Sequence, residues 1–402
     1  MTTLHITNAY LPGSGGLRSF YDALLEAGNR EGRRVVVVLP SRQTETRDVG
    51  DYGRIHFIAA PRPLLNRRGR VLLPHRFLPG LSGPLTRVLE REQPSIVEIC
   101  DRYSLPYLAA MLRKGWYPRV PRPTLIALSC DRFDTSMAAS SATRAFTQWY
   151  IRHVYGPLFD AHIAISEYTA NELRTALPDR PPGFVRVSPL GVDAERYAAT
   201  PRSAAVRSRL LRRTGGDSTS VLLFHAGRLA RETNIRLLVD MLRELVEIGN
   251  ADYRLLIAGE GPLAGWLRDQ ATGAIAGRIH CCGVLDGEAL ASCYANCDVF
   301  VSPNPCEAFA ASLLAAMASG VPVVAPDRGG VLEYATERDA WLAAPDARSF
   351  ASAVTAARAG DPLRQQRAVR VAHKFRWSRV TSDYFALYDE LQGRSWSSRI
   401  SA

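Results

Sequence analysis

Short, uninterrupted apolar runs alternate with longer amphipathic stretches along most of this chain. In the first half, residues 3–10 (TLHITNAY), 33–40 (RRVVVVLP), 94–101 (PSIVEICD), 123–130 (PTLIALSC) and 161–166 (AHIAIS) are too short and too apolar for surface helices. Buried strands of a parallel sheet read this way, and the helical stretches between them supply the crossovers. After a polar, Arg- and Ser-rich stretch at 200–220 the rhythm restarts. Strands are predicted within 221–229, 253–262, 278–285, 297–305 and 321–327, and an amphipathic helix at 376–393 closes the pattern. A chain of 402 residues exceeds what one hydrophobic core serves. The expectation is two α/β domains in tandem, 1–190 and 191–375, with residues 376–402 as a helix and short tail packing back towards the first.

Open parallel sheets bind ligands in the loops beyond the carboxyl ends of their strands. Six loops of unusual composition fall there: LPGSGG, SCDRFD, HAGRL, AGEGP, SPNPCEAF and APDRGG. Gly13, Gly15 and Gly16 separate a strand from a helix, as a phosphate-binding turn or an ordinary tight turn would. Arg228 follows a strand, where a guanidinium can grip a pyrophosphate. Glu307 is the only charged residue between Cys306 and Pro326. An Ala- and Leu-rich helix is predicted from 308 to 319, so Glu307 stands at a helix N-terminus, where unpaired amides suit phosphate and a carboxylate suits sugar hydroxyls. The sequence AGEGPLAG matches a dinucleotide fingerprint but lies inside the second domain rather than opening it, which makes it a weak signal.

Composition narrows the picture. The chain is 47% hydrophobic and 22% charged, with no apolar run of membrane-spanning length. No secretory signal opens the sequence, so a cytoplasmic location is expected, with peripheral contact at the inner membrane face. Net charge is +11. Arg62, Arg67, Arg68, Arg70, His75 and Arg76 form one basic cluster, and Arg113, Lys114, Arg119 and Arg122 another, both interleaved with apolar residues. They read either as a solvated face or as a surface attracted to anionic lipid. No nucleic-acid-binding motif accompanies them, so no nucleic acid partner is expected. The seven cysteines lack metal-ligand spacing and read as free thiols. A cysteine hydrolase using Cys130 with His153 or His162 lacks a positioned-base signature.

The stretch SPNPCEAFAASLLAAMASGVPVVAPDRGGVLEY, with HAGRLARETN, IAGEGP, ISEYTANEL and VSPLGVD, resembles the retaining GT-B glycosyltransferases of family 4. The resemblance spans most of the chain and is weakest between residues 40 and 95. It implies GT-B architecture, two Rossmann-like domains facing across a cleft, and transfer of a sugar from a nucleotide diphosphate sugar with retention of configuration. The acceptor would be a glycan, a lipid-linked molecule or a small molecule, with no cofactor and no metal. By the same resemblance Glu307 holds donor-sugar hydroxyls and Arg228 the diphosphate. Gly15 and Gly16 approach the same phosphates, and Gly261 and the backbone of Phe309, Ala310 and Ala311 complete the cradle.

Three positions depart from the family pattern. Ala315 replaces a ribose-binding Glu, Thr233 replaces a phosphate-binding Lys, and Cys130 replaces a His near the reacting sugar. Eight residues at 3.6 per turn would put Ala315 on nearly the same helix face as Glu307. The altered positions leave a second role open, that of a catalytically impaired homologue acting as a binding or partner subunit.

Overall fold

The computed structural model describes residues 1–10, 15–62, 70–73, 83–133, 141–270 and 272–400, with side chains described to residue 393. The chain divides into two compact units, one of residues 1–190 and 378–402 and the other of residues 191–377. Each is an α/β domain with its own sheet.

The first sheet has eight strands: β1 (Thr2–Thr7), β2 (Arg34–Ser41), β3 (Glu45–Val49), β4 (Gly53–Ala59), β5 (Ile96–Cys100), β6 (Thr124–Ser129), β7 (Ala161–Ala164) and β8 (Val185–Val187). Their spatial order is β3-β4-β2-β1-β5-β6-β7-β8. All pairings are parallel except β3 against β4. The hydrophobic pattern did not reveal β3 and β4. Strand β3 is an edge strand reading ETRDV, nearly all exposed, and so carries no apolar alternation. Leu4, Ile6, Val36, Val38, Val97 and Ile99 are buried within one core cluster beneath this sheet.

The second sheet has six parallel strands: β9 (Val221–Ala226), β10 (Tyr253–Ala258), β11 (Ile279–Gly283), β12 (Val299–Val301), β13 (Val323–Pro326) and β14 (Trp341–Ala343). Their order, β11-β10-β9-β12-β13-β14, is the doubly wound 3-2-1-4-5-6 arrangement. The helix Arg236–Ile248 shows how the pattern produced the packing. Leu238, Leu242 and Leu245, one stripe at helical spacing, are fully buried, and Gly249 at φ +67° ends the helix in the left-handed conformation.

The chain enters and leaves the second unit side by side. Val192 N–H donates to the Phe375 carbonyl at 2.8 Å, and Val192 bridges Arg376. The helix Trp377–Ile400 then joins the first unit almost entirely. Tyr388 Oη donates to Glu98 Oε2 at 2.6 Å, and Tyr384 Oη to the Ser188 carbonyl at 2.9 Å. Forked Arg–carboxylate pairs join Arg186 to Glu390 and Arg33 to Asp389. Glu98 is fully buried on β5, and its other oxygen takes a hydrogen bond from His5 Nδ1 at 3.0 Å.

Candidate functional site

In the second sheet β9 and β12 are neighbours, and the chain leaves them towards opposite ends of the sheet. That is the switch point at which doubly wound sheets open a crevice. The loop after β9 carries Arg228 and the loop after β12 carries Glu307. Asn234, at φ +53°, ties the two together by donating Nδ2–H to the Pro303 carbonyl at 3.2 Å.

Glu307 is half-buried, and Asn304 Nδ2 donates to its Oε2 at 2.6 Å. The other end of the same amide, Asn304 Oδ1, accepts the Cys306 N–H at 3.0 Å. Asn304 is 9% exposed, so it braces both the turn and the carboxylate from beneath. From the far side the glycine pair after β13 presses in. A Cβ on Gly330 would lie 1.9 Å from the Ala308 carbonyl, and one on Gly329, at φ +88°, 2.6 Å from the Pro305 carbonyl. Gly330 N–H donates to the Glu307 carbonyl at 2.7 Å. Only glycine permits that approach.

The helix after this loop is Ala311–Ala318, three residues shorter at its start than the composition predicts. Ala310 adopts φ +52°, ψ +55°, a left-handed conformation that breaks the helix before it reaches Glu307. Tyr334 Oη holds it there by donating to the Ala310 carbonyl at 2.8 Å. Helical spacing therefore does not carry Glu307 and Ala315 onto one face, because Glu307 lies outside the helix. Ala315 is buried, at 4% exposure, and its carbonyl accepts the Ser319 N–H. Among the described residues, the amides of Phe309, Ala310, Ala311 and Ser312 have no backbone acceptor, as expected at a helix start. Phe309 itself is buried against Tyr334 and Phe375 and anchors the loop.

Arg228 is 58% exposed and pairs with Glu232 at 3.4 Å. Thr233 closes the same turn, donating its hydroxyl to the Arg228 carbonyl at 2.7 Å and accepting the Ala230 N–H. Gly261 packs against this loop, since a Cβ there would lie 2.0 Å from the Leu229 carbonyl. Gly259 does the same against Gly227. The fingerprint glycines thus serve the approach of two protein loops. Beneath the site, buried His225 donates Nδ1–H to the Val301 carbonyl at 2.8 Å, while its Nε2 has no hydrogen-bond partner among the described residues. Burial pushes its pKa down to about 4.

In the first sheet the equivalent switch point lies between β1 and β5. Asn8, just past β1, donates to Asp101 and Ser104, just past β5, at 3.0 Å each. Gly15 opens the helix Gly15–Glu31, with open space where a Cβ would stand, and Gly16 is half-buried beside it. Gly13 lies outside the described residues. Cys130 follows β6, its Sγ 3.6 Å from that of Cys100. The Cys100 thiol and burial hold the Cys130 pKa well above the ordinary thiol value, so it carries little thiolate. His162 Nε2 bonds the Gly156 carbonyl, and burial holds its pKa at about 4. His153 bonds the Trp149 carbonyl. A cysteine nucleophile with a histidine base is therefore not assembled. Among the described residues no group of three or more His, Cys, Asp or Glu could hold a metal ion.

The structure therefore brings Arg228, Thr233, Gly261, Glu307, Phe309, Ala310 and Ala311 together at one switch point. Gly15, Gly16 and Cys130 belong to the other domain. Asn304 and Asn234 went unnoticed in the sequence. A Pro-flanked Asn three residues before a lone Glu was the available signal. Chemically, the second-domain arrangement offers a braced carboxylate that accepts from hydroxyls, a row of free amides and an exposed guanidinium. That set suits a sugar joined to a phosphate.

Residues 14–196 match the model described as Glycosyltransferase Family 4, and residues 220–358 the model described as Glycosyl transferases group 1. Fold matches include sucrose-phosphate synthase from Thermosynechococcus elongatus (TM-score 0.73, 17% identity, covering 98% of this chain and 100% of that one). Another is Anabaena HepE in complex with UDP and glucose (TM-score 0.69, 15% identity, covering 97% and 100%). Both halves of the chain therefore match glycosyltransferase family models, and the fold is that of the GT-B class. The chain is 29% identical over 401 residues to the GDP-mannose-dependent alpha-(1-6)-phosphatidylinositol dimannoside mannosyltransferase of Mycobacterium tuberculosis, covering 96% of this chain and 95% of that protein. It is 26% identical over 333 residues to a GDP-mannose-dependent alpha-mannosyltransferase of Corynebacterium glutamicum, covering 83% and 74%.

Proposed function

We propose that this protein transfers a mannosyl group from GDP-mannose, with retention of configuration and without a metal, to a lipid-linked glycan. It would do so as a cytoplasmic protein in peripheral contact with the inner membrane face. The observation that carries the reading is the braced carboxylate of Glu307 beside the open amides of 309–312, at the switch point that also carries Arg228. In this assignment Glu307 accepts hydrogen bonds from the donor-sugar hydroxyls. Arg228 and the loop amides hold the diphosphate and stabilise it as the leaving group. Gly15, Gly16 and Cys130 are assigned to the same reaction from the first domain by family resemblance. The mannosyl donor is supported by the names of the relatives, which span most of the chain.

Two donor contacts are reduced here. Thr233 brings no charge to the diphosphate, and Ala315 no carboxylate to the ribose. Each charged hydrogen bond lost costs ~1.5–3 kcal/mol, so nucleotide affinity is set by fewer groups.

The test is thermal stabilisation by GDP-mannose, UDP-glucose and their parent diphosphates, since a ligand raises stability by mass action. Stabilisation by GDP and GDP-mannose, followed by mannosyl transfer to a polyprenyl or phosphoinositide glycan, supports the reading. Glu307→Gln, an isosteric change, should lower turnover by about two orders of magnitude with an unchanged melting temperature. Wild-type turnover in that variant removes Glu307 from the chemistry. Binding without turnover on any acceptor class moves the protein to the role of an impaired homologue.

A further inference from the structure

The helix Ser141–Tyr150 and the π-helical turn Ile151–Tyr155 that continues it carry exposed aromatic rings on one face, while Tyr155 at the end of the turn is buried. Thr147 and Ile151, four residues apart, face inwards and are buried. Phe146 and Trp149 stand on the opposite face, 54% and 53% exposed, their rings stacked 6.1 Å apart. Trp149 stacks in turn on His153. Water-facing helix surfaces are ordinarily polar.

The ridge continues onto a second element. Half-buried Tyr150 stacks on Phe146 and donates its hydroxyl to the Arg102 carbonyl at 3.1 Å. Next to Arg102 is Tyr103, 65% exposed, and Tyr107, 61% exposed, lies in the first turn of the helix Pro106–Arg113. Lys114 follows Tyr107 at i+7 and lies over the exposed ring of Trp116, 5.7 Å from its centroid. Of the exposed large hydrophobics among the described residues, six of thirteen fall between residues 103 and 154. That concentration is what separates a surface from the scattered exposed residues of any protein.

Charge identifies the occupant. Residues 102–130 contain no Asp or Glu, nor do residues 135–159, while Arg113, Lys114, Arg119 and Arg122 border the ridge in sequence. Trp and Tyr are the side chains that settle at the boundary between lipid headgroups and acyl chains. In the structure Arg113 pairs with Asp160 at 2.9 Å and Arg119 with Glu90 at 3.9 Å. Lys114, which enters no ion pair among the described residues, is the cation beside the ridge and favours an anionic leaflet. We propose that the ridge of Tyr103, Tyr107, Phe146 and Trp149 is the surface by which the first domain seats in the interface of an anionic membrane, with Lys114 against the headgroups. This rests on the peripheral-membrane reading above and gives it a location. That location differs from the basic cluster at 62–76, most of which lies outside the described residues.

The experiment is co-sedimentation of the full chain with vesicles of phosphatidylglycerol mixed with phosphatidylcholine, and with phosphatidylcholine alone. Wild-type protein should bind the mixed vesicles, and Phe146→Ser with Trp149→Ser should lower the partition coefficient about tenfold or more. Tyr52→Ser with Leu363→Ser, exposed apolar residues elsewhere, should leave it unchanged. Melting temperatures of all variants check the fold. Lys114→Glu should weaken binding at low salt and matter less at high salt. If wild type binds but the ridge variant binds equally well, the location is overturned and the peripheral reading stands. If wild type binds neither vesicle, both fall. A ridge variant that leaves vesicle binding intact but breaks up an oligomer on size exclusion overturns the proposal in favour of a protein interface.

Discussion

Replacing Asn304 by Asp changes one atom pair at the centre of the candidate site and leaves its shape. The Oδ1 that accepts the Cys306 N–H remains, so the turn has no reason to move. At the other end, the amide that donates to Glu307 Oε2 at 2.6 Å becomes a carboxylate oxygen. A charge-assisted hydrogen bond worth ~1.5–3 kcal/mol is lost, and two carboxylates in contact cannot both ionise without repulsion. One of them takes up a proton, or Glu307 swings away from its brace. Either outcome weakens the acceptor offered to sugar hydroxyls. Affinity for GDP-mannose should therefore fall ~10- to 150-fold, the range those energies span. GDP, which lacks the sugar, should bind Asn304→Asp nearly as well as wild type, because the contacts proposed for it run through Arg228 and the loop amides. Isothermal titration of both ligands against both proteins reads the difference directly. The loss should shrink as pH falls, since the added proton restores a donor between the two carboxyls. An equal loss for GDP and GDP-mannose would refute the reasoning, as it would mean a general collapse of the loop. An unchanged GDP-mannose affinity would mean that Glu307 does not touch the sugar.

Two further outcomes concern stability. Tyr388→Phe leaves the fully buried Glu98 carboxylate one hydrogen bond short and should destabilise the first domain by ~1.5–3 kcal/mol, read from urea unfolding. Faster amide exchange should be confined first to the helix beginning at Trp377. No change in unfolding midpoint would show that the Tyr388 bond contributes nothing net. The second concerns acid. Burial holds His162 and His225 at about 4, so the folded state refuses protons that the unfolded chain takes up below its ordinary value of about 6.5. Burial raises the Glu92 carboxyl, but hydrogen bonds from His56, Arg34 and Arg54 together outweigh it and hold it at about 2. All three shifts make the unfolded state the better proton acceptor. Stability should hold above pH 6.5, decline as pH falls from 6.5 to 4 through the histidines, and decline further towards 2 through Glu92. The histidine part amounts to ~3 kcal/mol each when complete. A flat melting temperature between pH 7 and 4.5, or a loss smaller in wild type than in His162→Gln, would contradict it.

Much of the architecture was legible without coordinates, because parallel strands buried on both faces must be short and continuously apolar. The run RRVVVVLP is one example, and the restart at 221 separated two sheets. The edge strand β3 was not legible, since an exposed strand of polar residues carries no such signature. For the candidate site the sequence determined which residue types stand at strand ends, and so singled out Glu307 and Arg228 as candidates. Tertiary structure alone decided how they are held. Local composition predicts a helix from Ala308, yet Ala310 sits at φ +52° because the Tyr334 hydroxyl and the glycine pair at 329 and 330 fix the loop from another strand. Helix propensity is worth tenths of a kcal/mol per residue, and long-range contacts of this kind override it. The brace from Asn304, the tie from Asn234 and the use of Gly259 and Gly261 against a neighbouring loop are likewise contacts between chain segments, and only the folded chain brings those segments together.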